Sequence, residues 1–259
     1  MDKGTIIGGL VALGAILFGL ILEGGKVGQI LQPTAALIVF GGTLGAILVQ
    51  FPINAVTTAF RDLVNIFFVP KNDPQAIVRE IVTLTYKARK EGIVALDNVL
   101  DSIADPFLKK SLMLAVDGTE PGELRKMMEL EMERKDEIDE SSPRVFESAG
   151  AFSPTIGIIG AVLGLIQVMQ HLDDIDEVGK GIAVAFVATV YGVGAANLLL
   201  LPSAGKLRIR IREEQILREM MLEGVISIME GMNPRMIETK LVSYLADDVA
   251  QPTEGGAAA

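Results

Sequence analysis

The sequence predicts an all-α integral membrane protein with four transmembrane helices, a helical cytoplasmic domain between the second and third of them, and a C-terminal cytoplasmic helical segment. Half of its 259 residues are hydrophobic, and many of them gather in four uncharged runs. Each run is long enough for a helix that crosses a bilayer, which takes roughly 20 apolar residues. Dense charges of both signs fill the stretches between and after these runs, so the chain divides into membrane segments and aqueous segments.

The first pair of transmembrane helices is predicted over residues 5–22 and 34–51, within a membrane segment that covers residues 1–51. No convincing small-residue cleavage site follows Leu22, so the first run is expected to stay in the protein as a membrane span. Pro52 ends the second helix, because proline disfavours helical geometry in the residue before it.

Residues 52–147 are predicted to form the helical cytoplasmic domain. Helices are expected to open at Pro74, Pro106 and Pro121, because proline is favourable at the first position of a helix. Asp73 is placed to cap the first of these helices, and a shorter helix is expected over residues 93–102. Residues 141–143 are expected to break or kink the chain before the third run.

The distribution of Lys and Arg predicts the orientation of the chain in the membrane. Both residue types are frequent in the middle domain and after the fourth run, whereas the turns 23–33 and 173–178 hold one Lys between them, Lys26. Because positive residues stay on the cytoplasmic side, both termini and the middle domain are expected in the cytoplasm. Residues 203–246 are predicted to form cytoplasmic helices, and residues 247–259 a disordered tail.

The second pair of transmembrane helices is predicted over residues 148–202, where two uncharged runs flank the acidic loop 173–177. Each run carries small residues at steps of three and four, which places them on one helix face. They are Gly150, Pro154, Gly157, Ala161 and Gly164 in the first run, and Gly181, Ala185, Thr189, Gly192 and Ala196 in the second. Because small faces let helices approach closely in lipid, they indicate either packing between these helices or copies of the chain, or a wall around the helix of another protein.

None of the four predicted spans contains Asp, Glu, Lys or Arg. A protein that moves ions across a membrane usually keeps an ionisable side chain at membrane depth, so here a partner would have to supply the carboxylate. The chain has no Cys and no catalytic or metal-binding motif, which predicts a protein that is not an enzyme and needs no cofactor. Its net charge of −10 gives nucleic-acid binding no electrostatic support, whereas contact with membrane lipid is expected.

Several stretches resemble the MotA/PomA family of flagellar motor stator proteins, and the resemblance covers nearly the whole chain. Residues 152–164, with the sequence FSPTIGIIGAVLG, are similar to the third membrane span of that family. Residues 188–192, with the sequence ATVYG, and residues 197–207, which include Pro202, are similar to its fourth span and the exit from it. The resemblance implies a stator A subunit that forms a pentameric ring around two helices of a MotB-type partner.

The resemblance also implies a mechanism. An ion binds from outside to the aspartate that the MotB-type partner supplies, the ring steps around the partner, and charged cytoplasmic faces push the rotor protein FliG. The protein is expected in the bacterial inner membrane. The residues expected to line the ion path and contact the partner helix are Pro154, Gly157, Ala161, Ala185, Thr189, Gly192, Tyr191 and Pro202.

The residues alone also allow plainer roles for members of this set. Pro154 can be a proline at helix entry, and Pro202 can be a helix stop. The Thr189 hydroxyl can bond to the carbonyl oxygen four residues earlier, and Tyr191 is expected to be a packing aromatic. His171, beside the acidic loop, is expected to be a polar residue at the membrane interface rather than a proton relay.

Residues 88–97 resemble the torque motif of the family, in which a basic and an acidic residue face the rotor. Arg89 and Lys90 match the basic positions, and Asp97 stands where the family usually has Glu. Without the resemblance, these charges would be interpreted as a solvated helix face. With it, Arg89, Lys90 and Asp97 are expected to contact FliG.

Ala161 bears on the choice of ion. Sodium-driven members of the family have a threonine at this position of the third span, so one oxygen ligand for Na⁺ is missing in this sequence. Na⁺ needs several oxygen ligands, whereas a proton needs a carboxylate and water. The resemblance therefore favours H⁺ over Na⁺ as the transported ion.

Two other kinds of membrane protein fit this sequence less well. A proton-driven energiser subunit of the ExbB/TolQ type normally has three spans and a large N-terminal periplasmic stretch, whereas this sequence predicts four spans and carries the 88–97 motif. A small self-sufficient transporter would need a charge buried in the membrane or a repeat that relates its two halves. The sequence has neither feature.

Overall fold

The computed structural model describes residues 3–65 and 73–246, which are helical apart from short turns and contain no β-strand. The predicted disordered tail, residues 247–259, lies outside the described residues. The all-α fold class predicted from the sequence is confirmed. Clustering of the chain into compact parts gives a membrane unit, residues 1–70 and 139–210, and a charged unit, residues 71–138 and 211–259.

The helices of the described residues follow one another without long connections. In chain order they are α1 (Lys3–Leu22), α2 (Pro33–Gln50), α3 (Ile53–Asn65), α4 (Pro74–Glu91), α5 (Pro106–Val116), α6 (Pro121–Asp139), α7 (Ser141–Gln170), α8 (Ile175–Ala195), α9 (Leu201–Met229) and α10 (Pro234–Ala246). Short 3₁₀ segments occupy Val27–Ile30 and Ile93–Ser102, and π-helical turns lie at Leu37–Gly41 within α2 and at Ala196–Leu200 between α8 and α9.

Four helical stretches are long and apolar enough to cross a membrane, and they contain α1, α2, α7 and α8. This finding confirms the four predicted spans. The apolar window of α1 has none of its residues buried inside the chain, so large side chains such as Leu10 and Phe18 are exposed. Lipid or other protein chains therefore have to cover these side chains, because exposing so much apolar surface to water would cost free energy.

The structure shifts one predicted break and excludes the plainer roles that the residues alone allowed for two prolines. The break expected at residues 141–143 lies at Glu140, between the end of α6 and the start of α7 at Ser141, and Pro143 is helical because the missing N–H of proline costs little in a first turn. Pro154 lies inside α7 and is not a helix-entry residue. Pro202 does not stop the fourth span, because α9 continues through it. The π-helical turn Ala196–Leu200 comes directly before Pro202 and changes the hydrogen-bond spacing where the proline ring would otherwise clash.

Helix α3 packs with the membrane unit, although the sequence placed it in the cytoplasmic domain 52–147. Val56 and Ala59 of α3 are buried in one cluster with Val145 and Phe146 of α7. The compact units therefore divide the chain near residues 70, 138 and 210, and not at the positions expected from hydropathy. Hydropathy shows where apolar runs begin. The limits of a compact unit depend instead on which amphipathic segments, such as α3, pack against its helices.

The charged unit has its own hydrophobic core. The predicted cap at Asp73 is present, because its carboxylate accepts from the N–H of Gln75 at 3.0 Å. Asp105 caps the next α-helix in the same way, by accepting from the N–H of Phe107 at 2.9 Å. The side chains that this core buries most completely are Ile81, Leu96, Leu108, Leu112, Leu124, Met128, Met220, Met221, Ile237 and Leu241.

Glu223 ties three helices of the charged unit together. Its carboxylate, which is 12% exposed, accepts from the Arg125 guanidinium of α6 at 2.7 Å and from the Lys240 ammonium of α10. Burial raises the pKa of Glu223, but the hydrogen bonds from Lys240 and Arg125 outweigh burial and hold the pKa below its usual value. The carboxylate therefore stabilises the folded charged unit in its ionised form.

We expect Glu223→Gln to lower the free energy of unfolding by about 1–2 kcal/mol, because a hydrogen bond to a charged group is worth roughly that amount. A depressed folded-state pKa gives stabilisation that is present above the unfolded pKa and is lost as the pH falls through the folded pKa. The measurement is thermal unfolding of the detergent-solubilised protein from neutral to acidic pH. The difference between wild type and variant should shrink towards acid, and a difference that grows towards acid would contradict the assignment.

Candidate functional site

The hairpin formed by α7 and α8 is held together by glycine. A Cβ atom placed on Gly192 would lie 2.5 Å from the carbonyl oxygen of Ser153, and one placed on Gly164 would lie 2.8 Å from that of Gly181. A Cβ on Gly157 would lie 2.9 Å from the carbonyl oxygen of Ala188. Real Cβ atoms do not approach this closely, so the seam between the two helices has backbone against backbone.

For some of the small residues, the seam decides between packing within the hairpin and contact with the helix of another protein. Gly157, Ala185 and Gly192 were expected to contact a partner helix, but in this structure they are buried against the other arm of their own hairpin. A helix face of small residues can pack closely on any other helix. The neighbouring helix of the same hairpin therefore covers these positions. For these three positions, packing between the two helices is the arrangement found.

One side of the seam is covered by α2. Val39 of α2 is buried in a cluster with Val187 and Ala188 of α8. On α7, Gly160 approaches Ile38, and a Cβ placed on it would lie 3.3 Å from that side chain. Helix α2 therefore closes the hairpin on this side.

The other side of the seam is uncovered within the chain, and we call it the open face. Helical spacing places Pro154 and Ala161 of α7 and Thr189 of α8 at the edge of the seam on this side, where all three are half-buried. The exposed residues that continue the open face are Ile158 and Leu165 of α7, and Ile182, Phe186 and Val193 of α8. Helical spacing thus places Pro154, Ala161 and Thr189 on the same side of the seam, and their role in an ion path stays a prediction.

Two hydroxyl groups lie beside the open face. The Thr189 hydroxyl donates to the carbonyl oxygen of Ala185 at 3.2 Å, which is the plainer role that the sequence allowed. The buried Ser153 hydroxyl donates across the seam to the carbonyl oxygen of Gly192 at 3.1 Å. Ser153 was not singled out from the sequence. Its position four residues before Gly157, in phase with the glycines, was the signal that could have revealed it.

Tyr191 lies on the side of α8 that faces away from the open face. Its hydroxyl donates to the carbonyl oxygen of Ile30 at 2.5 Å and accepts from the N–H of Gln32 at 3.3 Å, and its ring stacks on Phe40. Tyr191 is therefore a packing aromatic, and it also ties the turn between α1 and α2 to the fourth span. Pro202 is exposed beyond the π-helical turn, apart from the cluster at Pro154.

A second candidate site lies in the charged unit. Arg89 and Lys90 are exposed in the last turn of α4, where cations complement the helix dipole. They share an open groove of about 460 Å³ with Tyr86 and with the start of α10, which includes Arg235. Asp97 is exposed on the following 3₁₀ segment and does not line this groove. The structure thus brings Arg89 and Lys90 together in one groove, and Asp97 is not among the residues that line it.

One acidic residue of the loop between α7 and α8 has a structural role as a helix cap. Asp174 caps α8 by accepting from the N–H of Asp176 at 2.9 Å and of Glu177 at 3.2 Å. His171 is exposed, with its Nδ1 atom 3.1 Å from the carbonyl oxygen of Gln167. Within residues 3–65 and 73–246, no group of His, Cys, Asp or Glu side chains could hold a metal ion.

Comparison with known proteins gives two family matches that together span most of the chain. Residues 6–92 match the family described as motility protein A N-terminal. Residues 99–220 match the MotA/TolQ/ExbB proton channel family. The second match includes the whole hairpin and the open face.

Individual relatives match at nearly full length. Motility protein A of Bacillus subtilis is 37% identical over 95% of this chain and 91% of its own length. The structure of the flagellar MotAB stator complex from Bacillus subtilis matches with a TM-score of 0.87 and 36% identity, over 96% of this chain and the whole of that one. A structure of MotAB from C. jejuni matches with a TM-score of 0.91 and 29% identity, over 98% of this chain and the whole of that one.

Proposed function

Because this chain belongs to the MotA/TolQ/ExbB proton channel family, in its motility protein A branch, we propose that five copies form a ring around two helices of a MotB-type partner. The chain is a flagellar motor stator A subunit and not an enzyme. It works with a MotB-type protein, as the solved MotAB complexes indicate. The observation that supports the proposed ring is the open face, which is apolar, lacks cover within the chain and has Pro154, Ala161 and Thr189 where it meets the seam.

In the proposed mechanism, the partner helix lies against the open face and places its aspartate near Pro154 and Thr189. Proline within α7 removes one backbone N–H there, so a carbonyl oxygen one turn earlier loses its usual donor. This oxygen and the Thr189 hydroxyl are groups to which water in the ion path can bond. Binding of an ion neutralises the aspartate, and the ring then steps around the partner.

We propose the bacterial inner membrane as the location, with both termini and the charged unit in the cytoplasm. The positive-inside rule supports this orientation, because Lys and Arg are concentrated in the charged unit and at the start of α9. In that orientation Arg89 and Lys90 are available to the rotor protein FliG, and their groove accepts acidic side chains. Asp97 presents an exposed negative group outside this groove.

We expect Arg89→Glu to remove most swimming while the stator still assembles, because a like-charge contact with the rotor costs several kcal/mol. The side chain is exposed, so the fold should tolerate the change. The measurement is swimming speed together with the amount of stator at the motor. A matching charge reversal on FliG should restore part of the speed, and normal swimming by an Arg89→Glu, Asp97→Lys double variant would contradict the proposed rotor contact.

The transported ion is proposed to be H⁺. Ala161 lies at the edge of the open face beside Thr189, and its methyl group offers no oxygen ligand to Na⁺. Rotation should therefore persist without sodium and should not respond to phenamil, a sodium-channel blocker. The measurement is motor speed against external Na⁺ at constant voltage and pH, and a speed that follows Na⁺ would rule out a proton-driven stator.

A further inference from the structure

Two carboxylates continue the open face towards the end of α7 that precedes Pro154. Glu147 lies on α7 seven residues before Pro154, so heptad spacing keeps these two close to one line on the helix, and Glu140 is the residue directly before the start of α7. At the rise of an α-helix, Glu147 is about 10 Å from the level of Pro154. Both side chains are partly exposed, at 39% for Glu147 and 30% for Glu140.

A single cation serves both carboxylates. The guanidinium of Arg208, on α9, binds Glu147 with two N–H groups, one of them at 2.9 Å, and its Nε atom lies 3.5 Å from Glu140. The neighbouring cations of α9 donate elsewhere, Lys206 to Thr5 at 2.5 Å and Arg210 to the carbonyl oxygen of Asn65 at 2.6 Å. Arg208 therefore has a strong acceptor and a second, weaker one next to it.

We propose that Glu147 is the cation acceptor on the exit side of the ion path, and that Arg208 releases it by moving to Glu140. This inference rests on the proposed function, because it assumes that ions travel along the open face. A proton that leaves the partner carboxylate near Pro154 crosses about two helical turns through water and binds a Glu147 oxygen. The neutral Glu147 loses its attraction for Arg208, whose guanidinium then pairs with Glu140. Loss of the proton to the aqueous phase restores the charge of Glu147 and returns Arg208 to it.

The surroundings favour an acceptor of cations at this place. Arg208, Glu147 and Glu140 together carry one net negative charge, which attracts a proton and repels anions. Asp62 of α3, another carboxylate of this end of the membrane unit, accepts from the Ser142 hydroxyl at 2.6 Å. Arg144 lies one turn before Glu147 on α7 and is exposed. Glu147 is thus the carboxylate that stands between Pro154 and the aqueous end of this face.

The competing interpretation is an ion pair that only ties α7 to α9. A pair that only ties the two helices is lost when either Glu147 or Arg208 is removed, whereas a cation acceptor is lost only with the Glu147 carboxylate. Glu147→Gln removes the carboxylate and keeps the cation, and Arg208→Gln keeps the carboxylate and removes the cation. Asp62→Asn is the matched control, because it also replaces a carboxylate with an amide in the membrane unit, at a residue that pairs with Ser142 and not with Arg208.

The experiment measures proton flux at fixed voltage in liposomes that contain the chain with its MotB-type partner, in amounts corrected for assembled complex. Glu147→Gln should lower the flux about tenfold or more, in line with the loss of a positioned proton acceptor, and should remove its dependence on the pH of the acceptor side. Glu147→Asp should restore part of the flux. Asp62→Asn should stay within about twofold of wild type, whereas Arg208→Gln and Glu140→Gln should lower the flux less than Glu147→Gln does, because both keep the Glu147 carboxylate.

Equal losses in Glu147→Gln and Arg208→Gln would overturn the inference in favour of a tie. Full flux in Glu147→Gln with an unchanged pH profile would overturn it outright. Absence of flux from the wild-type complex is a different outcome, because it would contradict the proposed function itself.

Discussion

The purified chain is expected to conduct no protons on its own, and to conduct when a MotB-type partner is present. The four spans contain no Asp, Glu, Lys or Arg, and the hydroxyl at the centre of the open face, Thr189, does not titrate. An ion at membrane depth needs a carboxylate or a polar cage, because desolvation of a bare charge is costly. The measurement is proton flux into liposomes at fixed voltage, with and without the partner.

This result has two controls. A partner in which the aspartate of its membrane helix is replaced by Asn should bind the chain and give no flux. An Ala161→Phe variant of this chain should fold, since Ala161 is at the edge of the seam and only half-buried, but should lose the partner because the open face is filled. Robust flux through the chain alone, or full motility of Ala161→Phe, would contradict the placement of the partner helix.

A single methyl group at Gly192 is expected to prevent correct packing of the hairpin. Its Cβ would lie 2.5 Å from the carbonyl oxygen of Ser153 and 3.2 Å from the Cα atom of Pro154, and backbone atoms of a packed helix cannot move aside. Overpacking of this kind costs typically 1–3 kcal/mol, and here it also separates Pro154 from Thr189. We expect Gly192→Ala to lower the unfolding temperature of the detergent-solubilised protein and to remove most swimming.

Gly194→Ala is the matched control, because it makes the same substitution two residues further along α8, where a Cβ meets nothing within 4 Å. That variant should retain stability and motility, helped by the higher helix propensity of alanine. If Gly192→Ala were as stable and as motile as Gly194→Ala, the close approach of α7 and α8 would not be the contact that holds the hairpin.

The fold could largely be predicted from composition and local signals. Uncharged runs located the four spans, and Asp73 and Asp105 mark helix starts because a carboxylate can accept from the first free N–H groups. The start of α7 was missed by several residues. In the sequence, Ser141 and Pro143 look like a break. A first helical turn tolerates proline, because the backbone N–H that proline lacks would have no partner within the helix there.

The site was predicted in part. Steps of three and four located the small residues correctly on one face of each helix, but the same spacing serves a neighbour in the chain and a partner outside it. The sequence therefore could not separate Gly157 and Gly192, which the seam buries, from Ala161 and Thr189, which remain at its edge. The hydrogen bonds of Tyr191 to the turn at Ile30 join residues far apart in sequence, so no local pattern could reveal them.

The glycine seam limits how the membrane unit can store or transmit mechanical work. Helices that touch through side chains can slide or repack, because rotamers change at little cost, whereas α7 and α8 touch through their backbones at Gly157, Gly164 and Gly192. The two helices therefore behave as one rigid body with few internal degrees of freedom. In the proposed ring, rotation would therefore move whole subunits past the partner helices, and elastic deformation would occur in the connections outside the hairpin.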